Sequence, residues 1–159
     1  MQRIIILIAL FLATSGFASS SDLTKNKEKF SFAFFTDIHL NFGDNNCFVG
    51  WKEAVKSAKK HDVDFIMTGG DNVDIDVLKD DSETAHKLYA KYAGLINNAE
   101  IPYYPTIGNH DRFWGVENDD PLYNEGLFEK YIHETTYSFN HKGWHFIVLN
   151  TAQICDGSY

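Results

Sequence analysis

The chain has 159 residues, 44% of them hydrophobic and 15% aromatic, enough for one domain with a real core and unlike a disordered polypeptide. A formal net charge of −8 argues against a nucleic-acid partner, because gripping a phosphate backbone needs a basic surface. A local cationic centre can still attract phosphate against that overall sign.

Residues 1–20 read as a signal peptide. Arg3 supplies the positive start, residues 4–12 form an unbroken apolar run, and residues 16–18 or 18–20 offer a small-x-small cleavage site. The alternative is an N-terminal membrane anchor, but the run falls short of the roughly 20 residues a span requires. No cysteine sits at the cleavage region, so a lipid anchor is not expected. The mature protein is therefore expected to be exported, to a periplasm or the extracellular space. Its two cysteines, Cys47 and Cys155, would meet an oxidising compartment, where they either pair or stay separate. Neither belongs to a Cys-x-x-Cys pattern, so thiolate zinc binding is not expected.

Residues 21–29 form a polar, lysine-containing lead-in, and the domain is expected to occupy residues 30–159. Residues 30–36 predict a first strand, apolar on both faces as in a central strand covered on each side. A loop over 37–47 leads to a helix over 49–61, with Trp51, Ala54, Val55 and Ala58 at i, i+3, i+4 and i+7. Residues 63–67 predict the second strand and 68–79 its loop. Ser82 is expected to cap a second helix whose buried stripe is Ala85, Leu88, Tyr89, Tyr92, Leu95 and Ile96. Pro102 marks entry to a third strand over 103–107. A long polar loop over 109–124 carries Arg112, Phe113 and Trp114, and a short helix follows over 127–132. Strands over 135–140 and 144–150 flank an Asn140-His141-Lys142-Gly143 hairpin turn. The order βαβαβαββ predicts an α/β fold, a largely parallel sheet joined at its end by an antiparallel hairpin.

Three of these strands end abruptly in nitrogen and oxygen ligands: Thr36-Asp37-Ile38-His39, Gly70-Asp71-Asn72-Val73-Asp74 and Gly108-Asn109-His110-Asp111. In an open α/β sheet, ligands collect beyond the carboxyl ends of strands. A lone Asp after a strand is more often a turn or capping residue, and Gly-Asn-His-Asp alone is equally an ordinary turn. Three such blocks in order point instead to a metal site. Asp37 and His39, two apart on an extended segment, can face one ion. Asp71 can bridge two, and Asn109 adds a neutral oxygen. A donor set of nitrogen and oxygen without sulfur suits Mn, Fe or Zn. Two such ions roughly 3.5–4 Å apart would hold a phosphate and activate a water. His110 is then a candidate general acid and Asp74 its orienting carboxylate.

Those blocks resemble the first three motifs of the calcineurin-like metallophosphoesterase superfamily, over about residues 30–151 and including the Tyr137–Asn150 hairpin seen in its bacterial exported members. The resemblance implies an α/β/β/α sandwich with a di-metal centre. By motif, Asp37 and His39 would bind the first metal, Asp71 would bridge, Asn109 would bind the second, and His110, oriented by Asp74, would protonate the leaving group. Ile75-Asp76 stands where the Ser/Thr phosphatases have Arg-Gly, Asp111 where they have Glu, and Asp74 where purple acid phosphatases have Tyr. The looser group of bacterial phosphodiesterases and phosphomonoesterases fits better. The implied function is metal-dependent hydrolysis of a phosphodiester or phosphomonoester by a metal-activated water, on a small-molecule substrate.

The superfamily's later ligands, an isolated His and then Gly-His-x-His, have no counterpart before Tyr159. His61, His86, His133, His141 and His145 do not stand in those patterns and read as structural, His141 in a turn and His145 in a buried strand. The chain is thus expected to be an N-terminal portion, incomplete at its C-terminus, and the alternative reading is a truncated, catalytically inactive fragment. Phe113 and Trp114 either stack a substrate ring or pack their loop down.

Overall fold

The computed structural model describes residues 29–152. The signal-peptide reading of residues 1–20 and the pairing of Cys155 lie outside the described residues. Element order is β1 (Phe32–Phe35), α1 (Asn45–Lys60), β2 (Phe65–Thr68), α2 (Ser82–Asn97), β3 (Tyr103–Tyr104), α3 (Gly126–Tyr131), β4 (Tyr137–His141) and β5 (Trp144–Val148). This is the βαβαβαββ order expected from the sequence. Strands β1, β2 and β3 form a parallel sheet in that spatial order, with Phe32 opposite Phe65 and Ile66 opposite Tyr103. Strands β4 and β5 form a separate antiparallel pair, with His141 opposite Trp144.

The period-2 alternation of β2 decides which layer lies on which side. Ile66 joins the core built with Trp51 and Val55 of α1 and Leu88, Tyr89 and Tyr92 of α2. Phe65 points the other way, into an aromatic layer shared with the hairpin. Its ring meets Phe139 and Phe146 edge-on at 5.5 and 5.4 Å and stacks on Phe32 at 5.1 Å. Tyr104 stacks on Phe139 and Phe139 on Phe146. A helical layer, a parallel sheet and an antiparallel sheet therefore follow one another, the α/β/β portion of a metallophosphoesterase-like sandwich. Among the described residues no helix covers the outer face of the hairpin, where Ile147 is exposed.

Element ends differ from expectation for identifiable reasons. Helix α1 starts at Asn45, not 49, because Asp44 is its cap and accepts a hydrogen bond from Asn46 N at 2.8 Å. Asp and Asn residues that suggested a loop are instead a helix start. Helix α2 is capped by Asp81, whose carboxylate accepts from Thr84 N at 3.0 Å, and Ser82 is its first helical residue. Strand β3 stops at Tyr104 because Pro105 has no N–H for the ladder. Thr106 N donates to the Thr68 hydroxyl instead. The hairpin turn closes on Lys142 and Gly143, both at positive φ, the two-residue loop whose twist matches its strands.

Among the described residues β1 lies at the edge of the sheet and not at the centre that its apolar run suggested, and Phe32 and Phe34 are 43% and 54% exposed. The hairpin's aromatic layer lies over β2 and β3 and reaches β1 only at Phe32. His145, expected in a buried strand, is exposed and bonds Asn140 Oδ1 through Nδ1 at 2.8 Å. His141 is the last residue of β4, with Nε2 3.2 Å from Asp64 Oδ1.

Candidate metal centre

The three ligand blocks leave the carboxyl ends of β1, β2 and β3 side by side, and backbone hydrogen bonds continue past the strands to hold them together. Asp37 N donates to Gly70 O, His39 N to Asp71 O, Leu40 N to Asn72 O and Asp74 N to Leu40 O, all at 3.0–3.2 Å. Leu40 and Val73 form a parallel bridge. The first two loops thus run as an irregular extension of the β1·β2 pairing. Asp37, His39 and Asp71 all sit in the left-handed region at φ 50–53°. Such a backbone costs on the order of 1–3 kcal/mol per residue and aims the side chains where a regular strand would not.

The third block is locked to the second. Gly108 packs so close to Asp71 that a Cβ there would lie 2.2 Å from Asp71 N and Oδ1, so only glycine fits. His110 N donates to Asp71 Oδ1 at 3.0 Å. Behind the site the fully buried Asp111 ties both loops. Its Oδ1 accepts from Asn72 N and Val73 N, and its Oδ2 from Gly108 N and Asn72 Nδ2, at 2.7–2.9 Å. Burial pushes this carboxyl up to about 6 against the opposing pull of those donors. Asn72 also donates to Thr106 O and accepts from the Tyr92 hydroxyl.

At the surface of this frame, Asp37, His39 and Asp71 each offer a ligand atom, and those atoms lie within 4.8 Å of one another. A second group, His39, Asp74 and His110, satisfies the same limit. Asn109 follows Gly108 directly, at the turn that His110 N fastens to Asp71. The donor set fits a divalent ion: carboxylate and imidazole donors bind at about 2.0–2.2 Å, so opposite ligands of one ion stand roughly 4 Å apart. Among the described residues, the ion pairs of Asp74 and Asp76 run to imidazoles and not to Lys or Arg, leaving the cluster rich in negative charge. Such a grouping favours a cation.

The imidazoles are held differently from expectation. Asp74, read from the sequence as the partner of His110, has Oδ1 2.5 Å from His39 Nδ1 and accepts from Asn41 Nδ2 at 3.2 Å through Oδ2. The carboxylate bonded to His110 Nδ1 is Asp76, at 3.0 Å. Burial pulls the His110 pKa down, but the Asp76 hydrogen bond and the charges of Asp76, Asp71 and Asp74 prevail and raise it above 6.5.

Sequence reasoning passed over Asp76, Asn72 and Asn41. Asp76 follows the fully buried Ile75 into a turn closed by Leu78 N donating to Ile75 O, and no local pattern marked it as the partner of His110. Of the loop aromatics, Phe113 is fully buried and pairs its backbone with Asn124, so it packs the loop down. Trp114 is half-buried, edge-on to Tyr123 at 5.2 Å. His61, His86 and His133 bond Ser57 O, the Tyr131 hydroxyl and Glu134 O respectively, away from the cluster. Cys47 is a half-buried free thiol.

No curated protein matches the chain in a sequence search. Residues 30–157, by contrast, match the family model described as calcineurin-like phosphoesterase, which covers all three ligand blocks and the hairpin. Three strand-end blocks converging on one carboxylate- and imidazole-rich cluster, within a matched span of that extent, place the chain in the calcineurin-like phosphoesterase family.

Proposed function

We propose that this protein is an exported, metal-dependent hydrolase of phosphodiester or phosphomonoester bonds in small molecules. The observation that carries the reading is the convergence of Asp37, His39 and Asp71, from two separate loops, with their ligand atoms within 4.8 Å of one another. Export rests on the Arg3 start and the apolar run over residues 4–12. Among the described residues no helix is long and apolar enough to cross a membrane.

Asp37 and His39 would hold one divalent ion, Asp71 would be shared, and Asn109 would hold a second, with Mn, Fe or Zn suited to these donors. Bound there, the ions would supply charge neutralisation for the phosphoryl oxygens and a nucleophilic water at neutral pH. The protein's own part is orientation and proton transfer. His39 is turned by Asp74 so that Nδ1 donates to the carboxylate and Nε2 is left as the ligand atom. His110 keeps its proton to a higher pH than an ordinary histidine and would give it to the departing oxygen. A groove lined by Asn41, Phe42, Asp74, Val77 and Leu78 opens beside the cluster and offers mostly apolar walls to the organic part of a substrate.

The test is hydrolysis of bis(p-nitrophenyl) phosphate and p-nitrophenyl phosphate by the purified chain with Mn(II), and again after chelation. Turnover should require the ion, and Asp71→Asn should lower it by about 100-fold or more, since it replaces a charged shared ligand with a neutral amide. Full activity in the Asp71→Asn variant, or turnover indifferent to chelator, rejects the proposal.

A further inference from the structure

His39 and His110 meet at the centre of the site with ring centroids 4.9 Å apart, and each ring is held by a different carboxylate. Both oxygens of Asp74 are engaged on the His39 side, one by His39 Nδ1 and one by Asn41 Nδ2. Asp76 faces His110 alone. Its Oδ1 lies 3.0 Å from His110 Nδ1, and the backbone N–H groups of Ile75 and Asp76 both donate to His110 O at 3.1 and 3.3 Å. A single two-residue segment therefore grips His110 by its carbonyl and by its ring. Ile75, fully buried between the two acids, anchors that segment in the core.

We propose that Asp76 is the positioning residue of His110, with Asp74 serving His39 alone. This rests on the reading of His110 as the proton donor. A carboxylate only accepts, so the hydrogen bond selects the Nδ1–H form of the neutral ring. When the ring is doubly protonated, Nε2 is then the atom that gives its proton to the leaving oxygen, which leaves the neutral Nδ1–H ring with that N–H still bonded to Asp76. Asp74 and Asp76, on either side of the buried Ile75, thus set two rings for two tasks.

The experiment is a long-range ¹H–¹⁵N correlation spectrum of the full chain, labelled at histidine and treated with chelator, with ring signals assigned through His39→Ala and His110→Ala. His110 should appear as the Nδ1–H tautomer, and a wild-type His110 found as Nε2–H overturns the proposal without any further variant. Asp76→Ala should shift His110 toward Nε2–H and leave His39 unchanged. Asp76→Asn, whose amide oxygen still accepts, should keep the wild-type pattern. A His110 signal that ignores Asp76→Ala, or responds to Asp74→Ala in its place, also overturns it. With Mn(II) and an aryl phosphodiester, Asp76→Ala should lower kcat roughly 10–100-fold at unchanged KM, and Asp76→Asn should restore most of it. Undiminished kcat in Asp76→Ala counts against the proposal. A wild-type protein with no hydrolysis at all rejects catalysis by this chain and favours the inactive-fragment reading instead, while the spectra still decide whether Asp76 sets the His110 ring.

Discussion

Asp111 lies out of contact with water, and its two oxygens accept from four N–H donors on two loops. It occupies the last position of the third ligand block, yet its work is to fasten the second block to the third and not to face the cluster. Asp111→Asn makes the point testable. The amide oxygen can replace one carboxylate oxygen, while its NH2 must then confront two donors that have lost their acceptor. Each buried unsatisfied donor costs about 1–3 kcal/mol. Unfolding by urea should show Asp111→Asn to be about 2–4 kcal/mol less stable than the parent. A loss below about 1 kcal/mol would mean that the two loops are held by something else.

Elements place these residues by how they end. The first two ligand blocks begin where β1 and β2 stop and the third follows β3 after Pro105, Thr106 and Ile107, and the parallel register brings the three together. The hairpin has its own tether. Asp64, just before β2, bonds Ser31 N at 3.0 Å, takes the Lys142 ammonium at the hairpin turn and lies 3.2 Å from His141 Nε2. The Lys142 hydrogen bond, followed by the Ser31 N–H, holds the Asp64 carboxyl down to about 2 from 3.8. A depressed folded pKa gives stability that is fully present above about 3.8 and is lost as pH falls through about 2. The difference in melting temperature between the parent and Asp64→Asn should therefore be constant above about pH 5 and close between about pH 4 and 2. A difference that does not change with pH would show that the tether is not electrostatic.

Across the whole molecule, the negative cluster and the strained loops are linked to ion binding by mass action. An ion that binds only the folded chain stabilises it by about 2.7 kcal/mol at a hundredfold excess over its Kd. For a chain of this size that raises the melting temperature by roughly 5–10 °C. Mn(II) added to the chelator-treated protein should give such a rise. Asp37→Asn and Asp71→Asn should each abolish most of it, and an equal rise in those variants would place the ion elsewhere.

How much of this was legible beforehand follows from the range of the forces involved. Alternation and apolar spacing are local, so the helices, the strands and the hairpin could be read along the chain, although Asn140 and His141, read as part of its turn, belong to β4. The strand-end blocks were equally local, and they carried Asp37, His39, Asp71, Asn109 and His110 together with the family they resemble. Caps and ladder ends were misjudged by a few residues where one side chain or one proline decided them, as at Asp44, Asp81 and Pro105. Only the tertiary structure decided that, among the described residues, β1 is an edge strand with Phe34 open to solvent, because edge or centre depends on which strands pair and not on a strand's own composition. It alone decided that Asp74 turns to His39 and Asp76 to His110. Both acids are near enough in sequence to serve either ring, and the choice is made by backbone bonds between loops more than 30 residues apart.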